Sequence, residues 1–172
     1  MKTREPQAVK FFIGALFSDK ESLNAAIQLC QDHLGTIDFN SDSFEFDQTS
    51  YYEMEMGAPL WRRFISFEML RSPGELAALK IRTNEMEVLL ADKGKRKVNL
   101  DIGYLDFHKV VLASAKYNGQ KIYLDHGIYA DTTLMFENGK FEGLKNTFPD
   151  FKGGRYDTAL LEIRSRYKTQ LK

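Results

Sequence analysis

Residues 9–17 are almost continuously apolar and rich in β-branched and aromatic side chains, the pattern of a buried strand. Ser18-Asp19-Lys20-Glu21 then reads as a capping box, in which a hydroxyl and a carboxylate satisfy free amides at a helix start. Leu23, Ala26, Ile27, Cys30 and Leu34 recur at helical spacing, and Gly35 ends the run. Ile37-Asp38-Phe39 and Phe44-Glu45-Phe46, on either side of a Ser-Asp-Ser triplet, predict an extended segment with one buried face and a turn or bulge inside it. Residues 51–59 read as a loop rich in aromatic, acidic and Met side chains. Leu60–Phe67 reads as a further strand, with Arg62 and Arg63 set among Trp61, Phe64, Ile65 and Phe67.

Ser72-Pro73-Gly74-Glu75 repeats the capping box, with Pro at the first helical position, where its missing N–H costs nothing. Leu76, Leu79, Thr83, Met86 and Leu90 supply the buried stripe of a helix running to about residue 91. After the loop Lys93-Gly94-Lys95-Arg96-Lys97, the residues Val98, Leu100, Ile102 and Tyr104 alternate with Lys97, Asn99, Asp101 and Gly103, as in a half-buried strand. Strand, helix, strand, strand, helix, strand is the order of a split βαβ, ferredoxin-like antiparallel sheet with both helices on one face. That core spans residues 9–105. Residues 106–145 form a β extension, with 108–115, 121–123, 129–136 and 140–141 extended and Glu137-Asn138-Gly139 marking a tight hairpin. Residues 105–115 also fit a helical period, but their short, β-branched run favours strand. Residues 146–172 read as a loop and a C-terminal amphipathic helix over 158–171. The expectation is one α+β domain over residues 1–172, a ferredoxin-like sheet extended by a β-meander and terminal helix. The alternative is an antiparallel β-barrel with flanking helices.

Composition narrows the function more than the fold. Among 172 residues, 24 Lys and Arg balance 24 Asp and Glu, which removes the whole-molecule charge argument for a nucleic-acid or membrane-surface protein. The apolar run at 9–17 contains Lys10, is too short to span a bilayer, and leads into a capped helix rather than a cleavage site. One Cys can form no internal disulfide, and no Cys-x-x-Cys is present, so a cytoplasmic location is expected. No motif names a cofactor. The 13 Phe, 8 Tyr and single Trp exceed what one modest core needs and raise a homodimer as a second reading.

Several strings occur together: Arg62-Arg63-Phe64-Ile65-Ser66-Phe67, Pro73-Gly74-Glu75-Leu76-Ala77 with Thr83-Asn84, and the run from Arg96 through Asn99, Asp101 and Gly103 to Leu105. With them stand Lys109-Val110-Val111-Leu112-Ala113-Ser114, Ile122-Tyr123-Leu124, Gly127-Ile128-Tyr129-Ala130-Asp131 and Thr147-Phe148-Pro149-Asp150. Jointly, and over nearly the whole chain, they resemble the prokaryotic domain-of-unknown-function family 4416 (DUF4416). The resemblance implies a stand-alone cytosolic protein of about this length and brings no established activity or catalytic residues. Some members are described as GTP-binding. A P-loop needs Gly-x-x-x-x-Gly-Lys-Ser/Thr between strand and helix, and the first such turn here, Phe17-Ser18-Asp19-Lys20, has no glycine.

Five constellations could carry chemistry. Asn99 and Asp101 share one strand face with Lys97, and Lys109, Ser114 and Lys116 come from the next extended segment; acceptors beside amines suit a phosphorylated or polyhydroxylated ligand. The plainer reading is the solvent face of an antiparallel sheet. Arg62 or Arg63, but not both, could join a site with Tyr51-Tyr52; a salt bridge to Glu53 or Glu55 is the other reading. Lys80, Asn84 and Glu87 form a polar stripe on the second helix, in which Lys80 and Glu87 could ion-pair through Asn84 or face a ligand; a solvated stripe is the simpler reading. Asp125-His126 with Asp131 is too sparse for a metal set. Lys93, Lys95, Arg96 and Lys97 could form an RNA-binding patch, although no basic-aromatic RNP string is present and nucleic acid ranks below small molecules. The leading expectation is therefore an anionic small molecule, such as a nucleotide or sugar phosphate, bound by Arg62, Arg63, Asn99, Asp101, Lys109, Ser114 and Lys116. If the ligand is turned over, Asp101 is the acid/base candidate. Homodimeric interaction and RNA binding are the alternatives.

Overall fold

A computed structural model describes residues 1–48 and 51–172. Its elements are β1 (Lys10–Phe17), α1 (Lys20–Leu34), β2 (Ile37–Asn40), β3 (Phe44–Phe46), α2 (Glu53–Met56), β4 (Leu60–Phe67), α3 (Leu76–Leu89) and β5 (Val98–Leu105). Then follow β6 (Lys109–Ser114), β7 (Ile122–Asp125), β8 (Ile128–Glu137), β9 (Lys140–Gly143) and α4 (Asp157–Gln170), with 3₁₀ turns at Pro73–Glu75 and Pro149–Gly154. The strands of the described residues make one antiparallel sheet in the order β2-β4-β1-β5-β6-β8-β7; β3 adds to β4 and β9 to β8. Residues 105–115 are thus extended apart from a turn at 106–108.

The sheet is open, with β2 and β7 at opposite ends, so the barrel alternative is corrected. Closure is not needed to bury it, because each face carries its own core. Alternation along β1 sends Phe11, Ile13, Ala15 and Phe17 to α1 and α3, where they meet Leu23, Ala26, Cys30, Leu76 and Met86. Phe12, with Phe64 of β4 and Leu105 of β5, faces Tyr156 and the stripe Leu160, Ile163 and Tyr167 of α4. Helices therefore cover both faces, α1 and α3 on one and α4 on the other. Burial pushes the Cys30 thiol up to about 12, so it acts as a small apolar side chain.

Local details depart from the sequence pattern in two places. The cap of α1 is Asp19, whose carboxylate accepts the Ser22 N–H at 2.7 Å; Ser18 instead donates its hydroxyl to the Met56 carbonyl. The ionised acceptor one residue further on takes the helix end. The segment read as loop at 51–59 contains the single turn α2. The second capping box forms as expected: Ser72 accepts the Gly74 N–H and Glu75 accepts the Ser72 N–H, around a 3₁₀ turn that leads into α3.

Candidate functional site

The sheet comes apart at one seam. β5 and β6 are paired only at Gly103–Leu112, Tyr104–Val111 and Leu105–Val110. Continued in register, Ser114 would stand opposite Asp101 and Lys116 opposite Asn99; instead the strands diverge. Gly103 sits at the fork, where an added Cβ would lie 2.5 Å from the Val111 carbonyl oxygen. Beyond it the backbone of Leu100 has no strand partner on that side, and buried peptide groups must be satisfied. Helix α3, which bridges from β5 to β6 and β8, supplies the partners. Glu87 accepts the Leu100 N–H at 2.6 Å and the Lys80 ammonium donates to the Leu100 carbonyl at 3.1 Å.

The gap is a cavity of about 560 Å³, walled by β5, β6, α3, the α2 region and the 3₁₀ segment Pro149–Gly154. Arg62 enters it from β4 by passing over β1 at Gly14, which lies between Phe64 and Asp101 in register. A Cβ there would come within 3.0 Å of Arg62 Nη1. The guanidinium reaches Asp101 (Nη1–Oδ2, 3.0 Å) and Asp150 (Nε–Oδ2, 3.3 Å) and lies against the rings of Phe46 and Phe151. Burial works against its charge, but the Asp101 and Asp150 carboxylates outweigh that and raise its pKa further. Asp101 is the complementary case. Burial pushes its carboxyl up, yet the Arg62 and Lys80 charges together hold it below the ordinary range.

A second ion cluster adjoins the first. Arg96 grips Glu55 with two nitrogens (2.9 and 2.7 Å), lies 3.4 Å from Glu87, and donates to Asn99 Oδ1 at 2.9 Å. That bond fixes the orientation of the Asn99 amide, leaving Nδ2 buried without a well-formed hydrogen bond in a residue 5% exposed, though the amide helps hold the neighbouring Asp101 carboxyl low. Glu87 feels the surroundings differently from Asp101: burial pushes its carboxyl up despite Lys80 and the Leu100 N–H. On the β6 side, Lys121 donates to Ser114 at 2.8 Å and stands 3.5 Å from Asp131, while the Lys116 ammonium lies 4.8 Å from the Tyr51 ring centre.

Of the residues singled out from sequence, Arg62, Asn99, Asp101, Ser114 and Lys116 meet in this cavity. Arg63 and Lys109 do not. Arg63 follows Arg62 on a strand, so it faces the other way and its Nε donates to Ser43. Lys109 lies at the far end of β6, paired with Asp106 at 2.6 Å. The polar stripe of α3 is corrected from a solvated face: Lys80 and Glu87 are buried, and with Asn84 they line the cavity. Arg96 leaves the basic loop for the cavity, and Glu55 pairs with it rather than with Arg62 or Arg63. Asp131 joins the site, whereas Asp125-His126 is an exposed turn. Of the 3₁₀ residues, Asp150 belongs to the string Thr147-Phe148-Pro149-Asp150 that carries the family resemblance, while Phe151 has no sequence signal beyond its place in a loop.

The low Asp101 value has a pH consequence. A carboxyl depressed in the folded state contributes stability that is whole above its unfolded value, about 3.9, and is lost as pH falls through its folded value. Denaturant unfolding between pH 7 and pH 3 is expected to show Asp101→Asn least stable relative to the parent at pH 7, with the difference shrinking on acidification. A difference constant with pH would deny Asp101 an ionic role.

An open antiparallel sheet that forks beside a set of charged side chains defines an α+β protein with a pocket at the fork that opens to solvent. No helix among the described residues is long and apolar enough to cross a membrane. No curated protein and no solved structure matches the chain. The family model described as Domain of unknown function (DUF4416) matches residues 7–167, and the chain belongs to that family.

Proposed function

We propose that the protein binds a small anionic molecule in the forked cavity, a nucleotide or sugar phosphate being the type, without a P-loop. The observation that carries this reading is a cavity large enough for a small ligand whose wall holds two buried donors without a well-formed hydrogen bond, Asn99 Nδ2 and Arg62 Nε. Five basic side chains (Arg62, Lys80, Arg96, Lys116 and Lys121) and four acidic ones line it. Lys116 meets no carboxylate among the described residues, which leaves a positive charge at the β6 wall. Aromatic side chains of Phe46, Tyr52 and Phe148 suit a ring. The order β2-β4-β1-β5, with α1 and α3 on one face, supports reading residues 9–105 as a ferredoxin-like core that carries β6–β9 as its extension. A cytoplasmic site of action belongs to the same reading.

The test is a thermal-shift panel of nucleotides and sugar phosphates on the parent, Asp101→Asn and Lys109→Ala. A ligand at a hundred times its Kd adds about 2.7 kcal/mol, which for this chain length raises the midpoint by roughly 5–10 °C. The expected result is a shift lost in Asp101→Asn and kept in Lys109→Ala, which lies outside the cavity. A shift kept in both places the ligand elsewhere, and no shift across the panel overturns the anionic reading.

A second reading, a homodimeric interaction module, has the β7 edge in its favour. Ile122, Tyr123 and Leu124 are all exposed on a terminal strand that, among the described residues, pairs with no strand on its outer side. Solution mass decides it.

A further inference from the structure

We infer that the β5 wall of the cavity recognises a hydroxyl group, so that the ligand is a phosphorylated sugar held by its hydroxyls at Asn99 and Asp101 and by its phosphate toward Lys116 and Lys121. This rests on the anionic-ligand reading and narrows it.

The two β5 residues present opposite hydrogen-bonding roles. Asn99 has its oxygen committed to Arg96, so the amide cannot turn, and what it offers the cavity is a donor, Nδ2. Asp101 has Oδ2 committed to Arg62, and its carboxylate, 28% exposed, faces the cavity as an acceptor. As positions i and i+2 of one strand they stand on the same face, roughly 6–7 Å apart along it. A donor next to a charged acceptor excludes groups that only accept. A phosphate or carboxylate at this wall would satisfy Asn99 and be repelled by Asp101. A group that only donates would leave Asn99 Nδ2 as it is, buried without a well-formed hydrogen bond, which is unfavourable. A hydroxyl donates and accepts at once, and neighbouring hydroxyls on a sugar ring can reach both residues.

Charge orders the rest. The acids nearest this wall, Asp101, Asp150 and Glu87, are arrayed around Arg62, Lys80 and Arg96, so that each of these cations already stands within ion-pair distance of a carboxylate. Across the fork, Lys116 has no carboxylate partner among the described residues, and Lys121 shares its charge with Asp131 alone. An anionic group therefore belongs at the β6 side and the hydroxyls at the β5 side. The divergence of β5 from β6 leaves room for the ring between them.

The experiment is calorimetric titration with glucose 6-phosphate, ribose 5-phosphate, cyclohexyl phosphate, and the free sugars glucose and ribose. Cyclohexyl phosphate keeps the ring and the phosphate and lacks the hydroxyls. The parent is expected to bind at least one sugar phosphate about tenfold or more tighter than cyclohexyl phosphate, since a hydrogen bond to a charged group is at stake. Asn99→Asp keeps an oxygen for Arg96 and turns the donor into an acceptor, so it should abolish that preference; retained binding of cyclohexyl phosphate shows that the variant is folded. Equal affinity for cyclohexyl phosphate and the sugar phosphates overturns the inference and leaves the anionic reading standing. A preference unchanged in Asn99→Asp also overturns it. Free sugars binding as tightly as their phosphates would sink the anionic reading while upholding hydroxyl recognition at β5. No binding by any of the five removes both the sugar-phosphate assignment and its hydroxyl contact.

Discussion

Arg62→Met is expected to lower the thermal unfolding midpoint by roughly 10–15 °C. The methionine fills much of the space but removes the charge between Asp101 and Asp150. The arginine side chain is 5% exposed and that of Asp150 7%, so at Asp150 little water can replace the lost partner, whereas Asp101 is 28% exposed. Breaking a buried pair by removing one member costs about 3–5 kcal/mol, because an uncompensated charge stays behind. In a chain of this length each kcal/mol moves the midpoint by about 2–4 °C. The exposed pair Arg155–Asp47 provides the contrast: its members are 35% and 51% exposed. Arg155→Ala is expected to shift the midpoint by no more than about 2 °C, because solvent screens such pairs. A shift of similar size for Arg62→Met would mean that Asp101 and Asp150 are solvated and that the arginine does not organise the cavity. The rings of Phe46, Phe151 and Tyr156 around the guanidinium add to the expected loss.

Gly103→Ala is expected to cost about 2–3 kcal/mol and roughly 5–10 °C, measured in the same scan. The added methyl would meet the Val111 carbonyl at 2.5 Å and Leu112 Cδ2 at 2.7 Å. The first contact is backbone, so no rotamer change relieves it; β5 and β6 must separate at a position where they share only three residue pairs. Gly119→Ala is the control. An added Cβ there meets nothing within 4 Å, and the residue has no positive φ, so the midpoint should hold to within about 1 °C. Equal behaviour of the two variants would show that the fork tolerates widening without loss of the ladder.

Much of the architecture was legible because it is written locally. The apolar run of β1, the box Ser72 to Glu75 and the Asn138-Gly139 turn depend on a few neighbouring residues, and each forms where the pattern puts it. The site was half legible for the same reason. Strand parity put Asn99 and Asp101 on one face, and Ser114 ends the adjoining strand with Lys116 just beyond it. Parity alone could not choose between Arg62 and Arg63, since it says that they differ and not which face holds the cavity. Nor could it show that Lys109 stands at the wrong end of β6. The α3 stripe was misread for a deeper reason. Lys80 and Glu87 look solvated so long as β5 is taken to have strand neighbours along its whole length. They become buried because the sheet forks, and the fork lies at a close approach between Gly103 and residues eight and nine positions further on. A helical period carries no trace of such an event, though the polar residues Lys80, Asn84 and Glu87, four and three apart beside the buried stripe of Leu76, Thr83 and Met86, mark where to look.

The substitution of side chains for a strand at Leu100 has an evolutionary meaning. A ladder of peptide groups is the same for every sequence and shifts only in whole-residue steps, so a pocket bounded by ladders can change shape only by changing the fold. Here one boundary is made of Glu87 and Lys80, which are single codons on a helix. Exchanging them in pairs alters the width and charge of the opening while the rest of the sheet keeps its register. One architecture can therefore be given openings of different width and charge by changing α3 alone.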